Sequence, residues 1–273
     1  LSEAIESLNH RIITINDSMI QFFRDSGLEF RSMADDLQSL CELGQEQLMR
    51  MEYLDAEKTL CGAEKIAFAQ RDFDTLGRLY MPLQEARRQR RQRCGEGVVC
   101  LDLIAQGAND HISAQHIVEN YPHGQLLVAG WGSIEPALKI RELQKQHGLY
   151  VETFLGAAYS IGGARAVAIV PLDGVKLPEP TPRSIDELIR LLPPHSIVYH
   201  ERELSAGVQK GTWQTYAHVM DMWERLHAPF LARADQTAEP TQKIEMYRKT
   251  IAVDYACELA HQKLADVARR MPR

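Results

Sequence analysis

The residues with the clearest chemical potential are Gly130, Trp131, Gly132 and Ser133, which follow the apolar run Leu126-Leu127-Val128-Ala129 and precede Ile134-Glu135-Pro136-Ala137. A strand that passes through a glycine turn into a helix leaves unpaired N–H groups at the helix start, and these can hold an anion. A sugar phosphate, with Ser133 donating, is one use of such a turn. The plainer use is a tight strand-to-helix connection with Ser133 as cap and Pro136 in the first helical turn. Ligands of open α/β sheets sit beyond the carboxyl ends of the strands. That rule adds three loops: Gln106 to His111, Gly156 to Gly163 followed by Arg165, and His200-Glu201-Arg202. Asn109, Asp110, His111 and Arg165 are therefore candidate ligand-binding residues beside Trp131, offering a histidine, a carboxylate and a cation for polar binding or acid–base work. Asp110 serves equally well as a helix cap, and His111 and His200 as surface residues.

The same turn is similar to the opening of a dinucleotide-binding Rossmann unit. Gly130 and Gly132 match the first two glycines of that fingerprint, and Glu152, 22 residues after Gly130, stands where such units place a ribose-binding acid. Glu135 replaces the third glycine, and its charge would face an incoming phosphate. The resemblance implies a nucleotide or dinucleotide as cofactor. It assigns Gly130, Gly132, Ser133 and Glu152 to binding and assigns no catalytic residue.

Other motifs point less sharply. Five arginines fall in the seven residues Arg87–Arg93. They would grip an acidic partner or RNA, or lie solvated at a helix end where cations suit the dipole. His111/His116 and His195/His200 are each five apart, which does not bring two imidazoles onto one helix face, so no metal site is expected. Cys41, Cys61, Cys94, Cys100 and Cys257 are odd in number and scattered, which fits reduced thiols in a cytoplasmic protein. No Gly-x-Ser-x-Gly and no phosphate-binding Gly-Lys-Ser/Thr occurs.

The elements that must position these residues follow from periodicity. Ile5, Leu8, Ile12, Ile15, Met19 and Phe22/Phe23 recur at helical spacing, Gly27 is a plausible stop, and Leu37, Leu40, Leu43 and Leu48 continue an apolar stripe. Pro82 is the one proline before Arg93, which favours long helices. After Gly95–Gly97 the pattern changes to apolar runs: Val98–Ala105, Leu126–Ala129, Tyr150–Leu155, Arg165–Leu172 and Ser196–Tyr199. Helices are expected over 113–120, 133–147 and 184–192 between them. Continuous apolar runs indicate strands buried on both faces, and the alternation with helices argues for βαβ units. The expectation is an α/β fold: a mostly parallel three-layer sheet segment inserted between helical segments. From Gly211 the helical period returns, with Trp213, Tyr216, Trp223 and Leu226 on one helix and Ile244, Tyr247, Ile251, Leu259 and Leu264 on two more.

Two of the helical stretches resemble tetratricopeptide helix pairs. Leu60, Ala63 and Ala67 lie before the turn Arg71-Asp72, and Phe73, Leu76, Tyr80 and Leu83 after it. Tyr247 and Ile251 precede Asp254-Tyr255, and Ala260, Leu264 and Ala265 follow. Small residues let paired helices approach and the aromatic fills between repeats. Glu64 and Lys243 stand where such repeats carry small residues. A plain helical bundle has the same periodicity. The expected segments are 1–95 (helical, repeat-like), 96–205 (Rossmann-like) and 206–273 (helical, repeat-like).

With 273 residues, 45% hydrophobic and 25% charged, the composition is that of a globular protein. The net charge of −6 weighs against a general nucleic-acid binder. No apolar run is long enough to cross a membrane. No secretory leader is visible, and a chain opening on Leu1 reads as trimmed or partial. The leading functional expectation is an intracellular binding or scaffold protein with another protein as partner, its α/β part sensing a ligand. The alternative is a nucleotide- or sugar-phosphate-binding enzyme using Gly130–Ser133.

Overall fold

The change from 3.6-residue to continuous apolar patterning near Gly95 is a real structural boundary. The computed structural model describes residues 30–178, 182–204 and 207–272, with side chains from residue 36 onward. The helix expected over Ile5–Phe23 and its stop at Gly27 lie outside the described residues. Three helices come first: α1 (Phe30–Met49), α2 (Tyr53–Gln70) and α3 (Phe73–Gly95). The α2–α3 turn falls at Arg71-Asp72 as expected. Arg71 takes the left-handed conformation at φ 57° and Asp72 caps α3 by accepting from the Thr75 amide at 3.0 Å.

The sheet follows, as β1 (Val98–Ile104), α4 (Ala114–Asn120), β2 (His123–Trp131), α5 (Glu135–Gln146), β3 (Tyr150–Ile161), β4 (Ala164–Val170), α6 (Ile185–Leu191), β5 (Ile197–His200) and β6 (Gln209–Lys210). The strand order is β5-β4-β3-β2-β1-β6. β1, β2 and β3 are parallel; β4, β5 and β6 each join antiparallel to a neighbour. The sheet is therefore mixed. Its departure from the expected parallel pattern has a local cause. β3 does not stop at Leu155 but runs on to Ile161, and the stretch read as a loop is strand. Gly162 and Gly163, at φ 59° and 80°, close a two-residue hairpin between Ile161 and Ala164. Such a turn can only join antiparallel strands, and glycine takes its positive φ without a Cβ clash.

The strands alternate faces. Cys100, Leu126, Val128, Leu155, Ala157 and Tyr159 pack under α4, α5 and α6. Leu101, Leu127, Ala129, Phe154, Val167 and Ile169 pack under the long helix α7 (Trp213–Gln236), through Val219, Met222, Trp223 and Leu226. Two-sided cover explains the unbroken apolar runs. The strand order does not reverse between β1 and β3, so α4 and α5 lie on one face and no Rossmann-type switch point forms between the parallel strands.

The helical segments on either side of the sheet segment meet in space. α8 (Pro240–Val253) and α9 (Glu258–Arg269) complete a second core with α2 and α3, containing Leu60, Ala63, Ala67, Leu76, Tyr80, Leu83, Tyr247, Ile251, Ala260, Leu264 and Ala265. α9 packs directly on α3, and α8 lies between α9 and α7. α7 spans both halves: its first part covers the sheet, and Leu231 and Ala234 join the helical core. Among the described residues no helix is long and apolar enough to cross a membrane.

A candidate site where the helices meet the sheet

On α3, residues 87, 90, 91 and 94 share one face at the spacing of three, one and three. That face is turned inward. Arg87 bonds Glu57 of α2 at 3.1 Å, the His261 ring of α9 at 3.0 Å and the Cys61 sulfur at 3.1 Å. Arg90 reaches the same Glu57 at 2.8 Å and lies over the Tyr255 ring. Arg91, 7% exposed, stands between two carboxylates: Glu152 of β3 at 2.8 Å and Asp254 of the α8–α9 turn at 2.7 Å. Its guanidinium also lies over the rings of Trp223 and Tyr255. Glu152 accepts from Gln125 of β2 at 2.7 Å. The run read as a gripping patch or a solvated helix end is thus largely an internal bracket, and of its five arginines only Arg88 and Arg93 are exposed.

The bracket ends in a triad. It runs from Arg91 to Asp254 at 2.7 Å and from Asp254 to Nδ1 of His227 on α7 at 2.7 Å. Burial works against a charged imidazole, but the Asp254 bond and the nearby Cys257 side chain outweigh it and hold the His227 pKa up at about 10. Burial would also raise Asp254; the Arg91 charge and the His227 bond overcome this and hold its carboxyl well below the usual range. His261 is the opposite case. Burial first, and the Arg87 charge second, push it down to about 3, so this ring stays neutral.

Above the triad lies a pocket of about 520 Å³ between α7 and the start of α9. Met220, Trp223, Leu231 and Leu259 give it an apolar wall; Arg88, Arg91, Glu224, His227, Asp254 and Glu258 give it both signs of charge. Trp223 stacks on Phe154 of the sheet, and its buried Nε1–H has no hydrogen-bond partner among the described residues. Apolar walls with a few converging polar groups and shifted pKa values are the usual make-up of a small-molecule site.

Of the residues nominated from sequence, Glu152 joins this bracket as a partner of Arg91; the others are placed elsewhere, and only some of them come together. Arg165 pairs with Glu201 at 2.5 Å and also donates to Gln106. The rim loops after β1 and β5 do therefore meet, with their charges already matched. Asp110 accepts from the Gln106 amide at 2.8 Å, within its own loop, while Asn109 and His111 are exposed. At the β2–α5 turn the Gly132 amide donates to Ala158 at 2.9 Å, and the Ser133 hydroxyl accepts from Glu135 at 3.1 Å. A Cβ on Gly130 would lie 2.6 Å from the Ser133 carbonyl, so the close approach this glycine permits is to its own turn. Trp131 packs against the α7-facing core. Glu152 pairs with Gln125 near the start of the strands, whereas Trp131 faces Ala158 near their end. Six residues of strand, roughly 20 Å, separate Glu152 from the glycine turn.

Sequence reasoning passed over Arg91, His227, Asp254 and Cys257 as a group. The available signal was periodic: Arg87, Arg90, Arg91 and Cys94 mark one stripe, and His227 lies one turn beyond Trp223 on α7. Among the described residues no group of three or more His, Cys, Asp or Glu is arranged to hold a metal ion. Comparison of the chain with protein-family models, curated proteins and solved structures found no match.

Proposed function

We propose that this chain is a binding protein whose ligand is a small molecule with both polar and apolar parts, held between α7 and the start of α9. The helical array around α2, α3, α8 and α9 then serves as the surface for another protein, in the manner of tetratricopeptide-like scaffolds, and ligand occupancy is sensed where that array meets the sheet. The supporting observation is the convergence on one pocket of groups from α3, α7, α9 and, through Glu152, the sheet. A ligand touching Arg91 or His227 therefore touches the contacts that hold the two halves together. The glycine turn is less suited, because its Gly132 amide and Ser133 hydroxyl are already bonded within the protein.

The test is a thermal-shift screen with nucleotides, dinucleotides, sugar phosphates, amino acids and short acyl carboxylates. A true ligand raises the melting temperature in a saturable way, by about 2.7 kcal/mol of added stability at a hundredfold excess over Kd. Ala228→Trp, on the exposed side of α7 and lining the pocket, is expected to abolish the shift. A flat response across the panel counts against the reading. A nucleotide shift that survives Ala228→Trp and disappears with Gly132→Asp would move the site to the sheet rim.

A further inference from the structure

We infer that the ligand of this pocket is an organic cation: a primary amine on an apolar body that also carries a hydrogen-bond acceptor. The inference rests on reading the pocket as a ligand site and names what that site takes. It follows from which charges there are already matched. Among the cations, Arg88 holds Glu85 through two bonds of 2.8 Å, Arg91 holds Glu152 and Asp254, and His227 holds Asp254. Among the carboxylates, Asp254 is thus taken. Asp235 pairs with Lys263 at 2.6 Å and accepts from the Tyr247 hydroxyl at 2.8 Å. Glu224 of α7 and Glu258 of α9 remain, both lining the pocket and both exposed. Neither forms an ion pair among the described residues. Glu258 accepts from the Gln84 side chain at 3.2 Å, and Arg88 feels its charge without pairing with it.

An acid in the first turn of α9 suits that helix's dipole, so Glu258 has a structural use as well. Glu224 has no such use: it stands in the middle of α7, one residue after Trp223 and one turn before Ala228. Two unmatched carboxylates on one pocket repel each other, and an ammonium group held by both relieves that repulsion. An anion fits less well, because each cation in the pocket already holds a carboxylate and an acid would add a third unmatched negative charge.

The walls select the rest of the ligand. Met220, Leu231 and Leu259 offer apolar surface beside the Tyr216 ring. The volume of about 520 Å³ lies within the range of small-molecule sites. Trp223 is 4% exposed, and its Nε1–H is a buried donor without a hydrogen-bond partner among the described residues. Such a donor is costly to leave unmet, and a carbonyl oxygen on the ligand body meets it.

The experiment is calorimetric titration of the full chain with four probes of one shape. Phenylalaninamide carries the ammonium and the carbonyl, phenethylamine the ammonium alone, 3-phenylpropanamide the carbonyl alone, and 3-phenylpropionate an anion. Phenylalaninamide should bind tightest, about two- to tenfold tighter than phenethylamine for one net hydrogen bond, and 3-phenylpropionate weakest. Glu224→Gln and Glu258→Gln should each weaken both amines about two- to fivefold, the range of exposed ion pairs, and leave 3-phenylpropanamide unchanged. A merely structural effect would move all four probes together. Propionate binding as tightly as phenylalaninamide, or amine affinity unchanged in the double glutamine variant, would overturn the inference. The probe series on the wild-type chain needs no variant, so a variant that fails to fold does not remove the test. If an anion or nucleotide binds and Ala228→Trp excludes it while the amines do not bind, the ligand class falls and the site stands. If neither the amines nor any compound of the thermal-shift panel binds, both fall.

Discussion

At Arg91 one guanidinium sits between two buried carboxylates, each less than 3 Å away. Such a centre is costly to assemble and more costly to leave incomplete, because truncating one partner strands the others away from water. Arg91→Met is therefore expected to lower the unfolding free energy by about 3–5 kcal/mol in urea titration. Adding Glu152→Gln and Asp254→Asn to Arg91→Met should recover part of that loss. A loss below about 1 kcal/mol would place the residue in water instead. The two histidines give opposite pH signatures. The His227 pKa is raised on folding, so its contribution is complete below the ordinary value near 6.5 and fades as pH climbs toward about 10. The His261 pKa is depressed, so its contribution is complete above about 6.5 and is lost as pH falls toward about 3. Stability should thus decline on both sides of near-neutral pH. His261→Gln should flatten the acid side between about pH 6.5 and 4 while leaving the alkaline side intact, as read by melting temperature against pH.

At the scale of the element, the β3–β4 hairpin decides the sheet's character. Gly162 and Gly163 both have positive φ and meet nothing where a Cβ would stand, so conformational strain alone opposes substitution. Gly163→Val should cost roughly 1–2 kcal/mol and Gly162→Asn much less, since asparagine tolerates the left-handed region. Equal costs in denaturant titration would argue against this turn. The same hairpin shows what was legible in the sequence. Strand and helix existence followed from apolar runs such as Val98–Ala105 and from the helical spacing between them, because those signals are local. The extension of β3 through Gly156-Ala157-Ala158 was hidden, because small residues carry little strand signal; a Cβ on Gly156 would meet β2, and Ala157 and Ala158 pack into the cores on opposite faces. The candidate site was hidden for a different reason. Arg91, Glu152, His227 and Asp254 come from four elements far apart in sequence; Glu152 was read toward the glycine turn and Arg91 toward an outside partner, and nothing local joins them to His227 and Asp254 until the helices close on the sheet. The glycine turn was legible as a motif, but which partners its Gly132 amide and Ser133 hydroxyl find depends on β3 and α5.

At the scale of the whole molecule, the helices before and after the sheet form one core, and α7 is shared between that core and the sheet. Residues 96–205 alone would expose Leu101, Leu127, Phe154 and Ile169, the face that α7 covers. That fragment is expected to aggregate or remain unfolded, whereas residues 30–273 should unfold in a single transition with far-ultraviolet dichroism and tryptophan fluorescence coinciding. A folded, soluble 96–205 fragment would show that the sheet stands alone. The account depends most on the charged centre that ties these parts together beneath the pocket. Its most direct measurement is an NMR titration of the full chain with ring-labelled histidine. The His227 signal should remain that of an imidazolium until close to pH 10, and the His261 signal that of a neutral ring down to about pH 3. A His227 ring that titrates near the ordinary value of about 6.5 would contradict the account, for Asp254 would then not be bonded to it and the site would not be assembled as described.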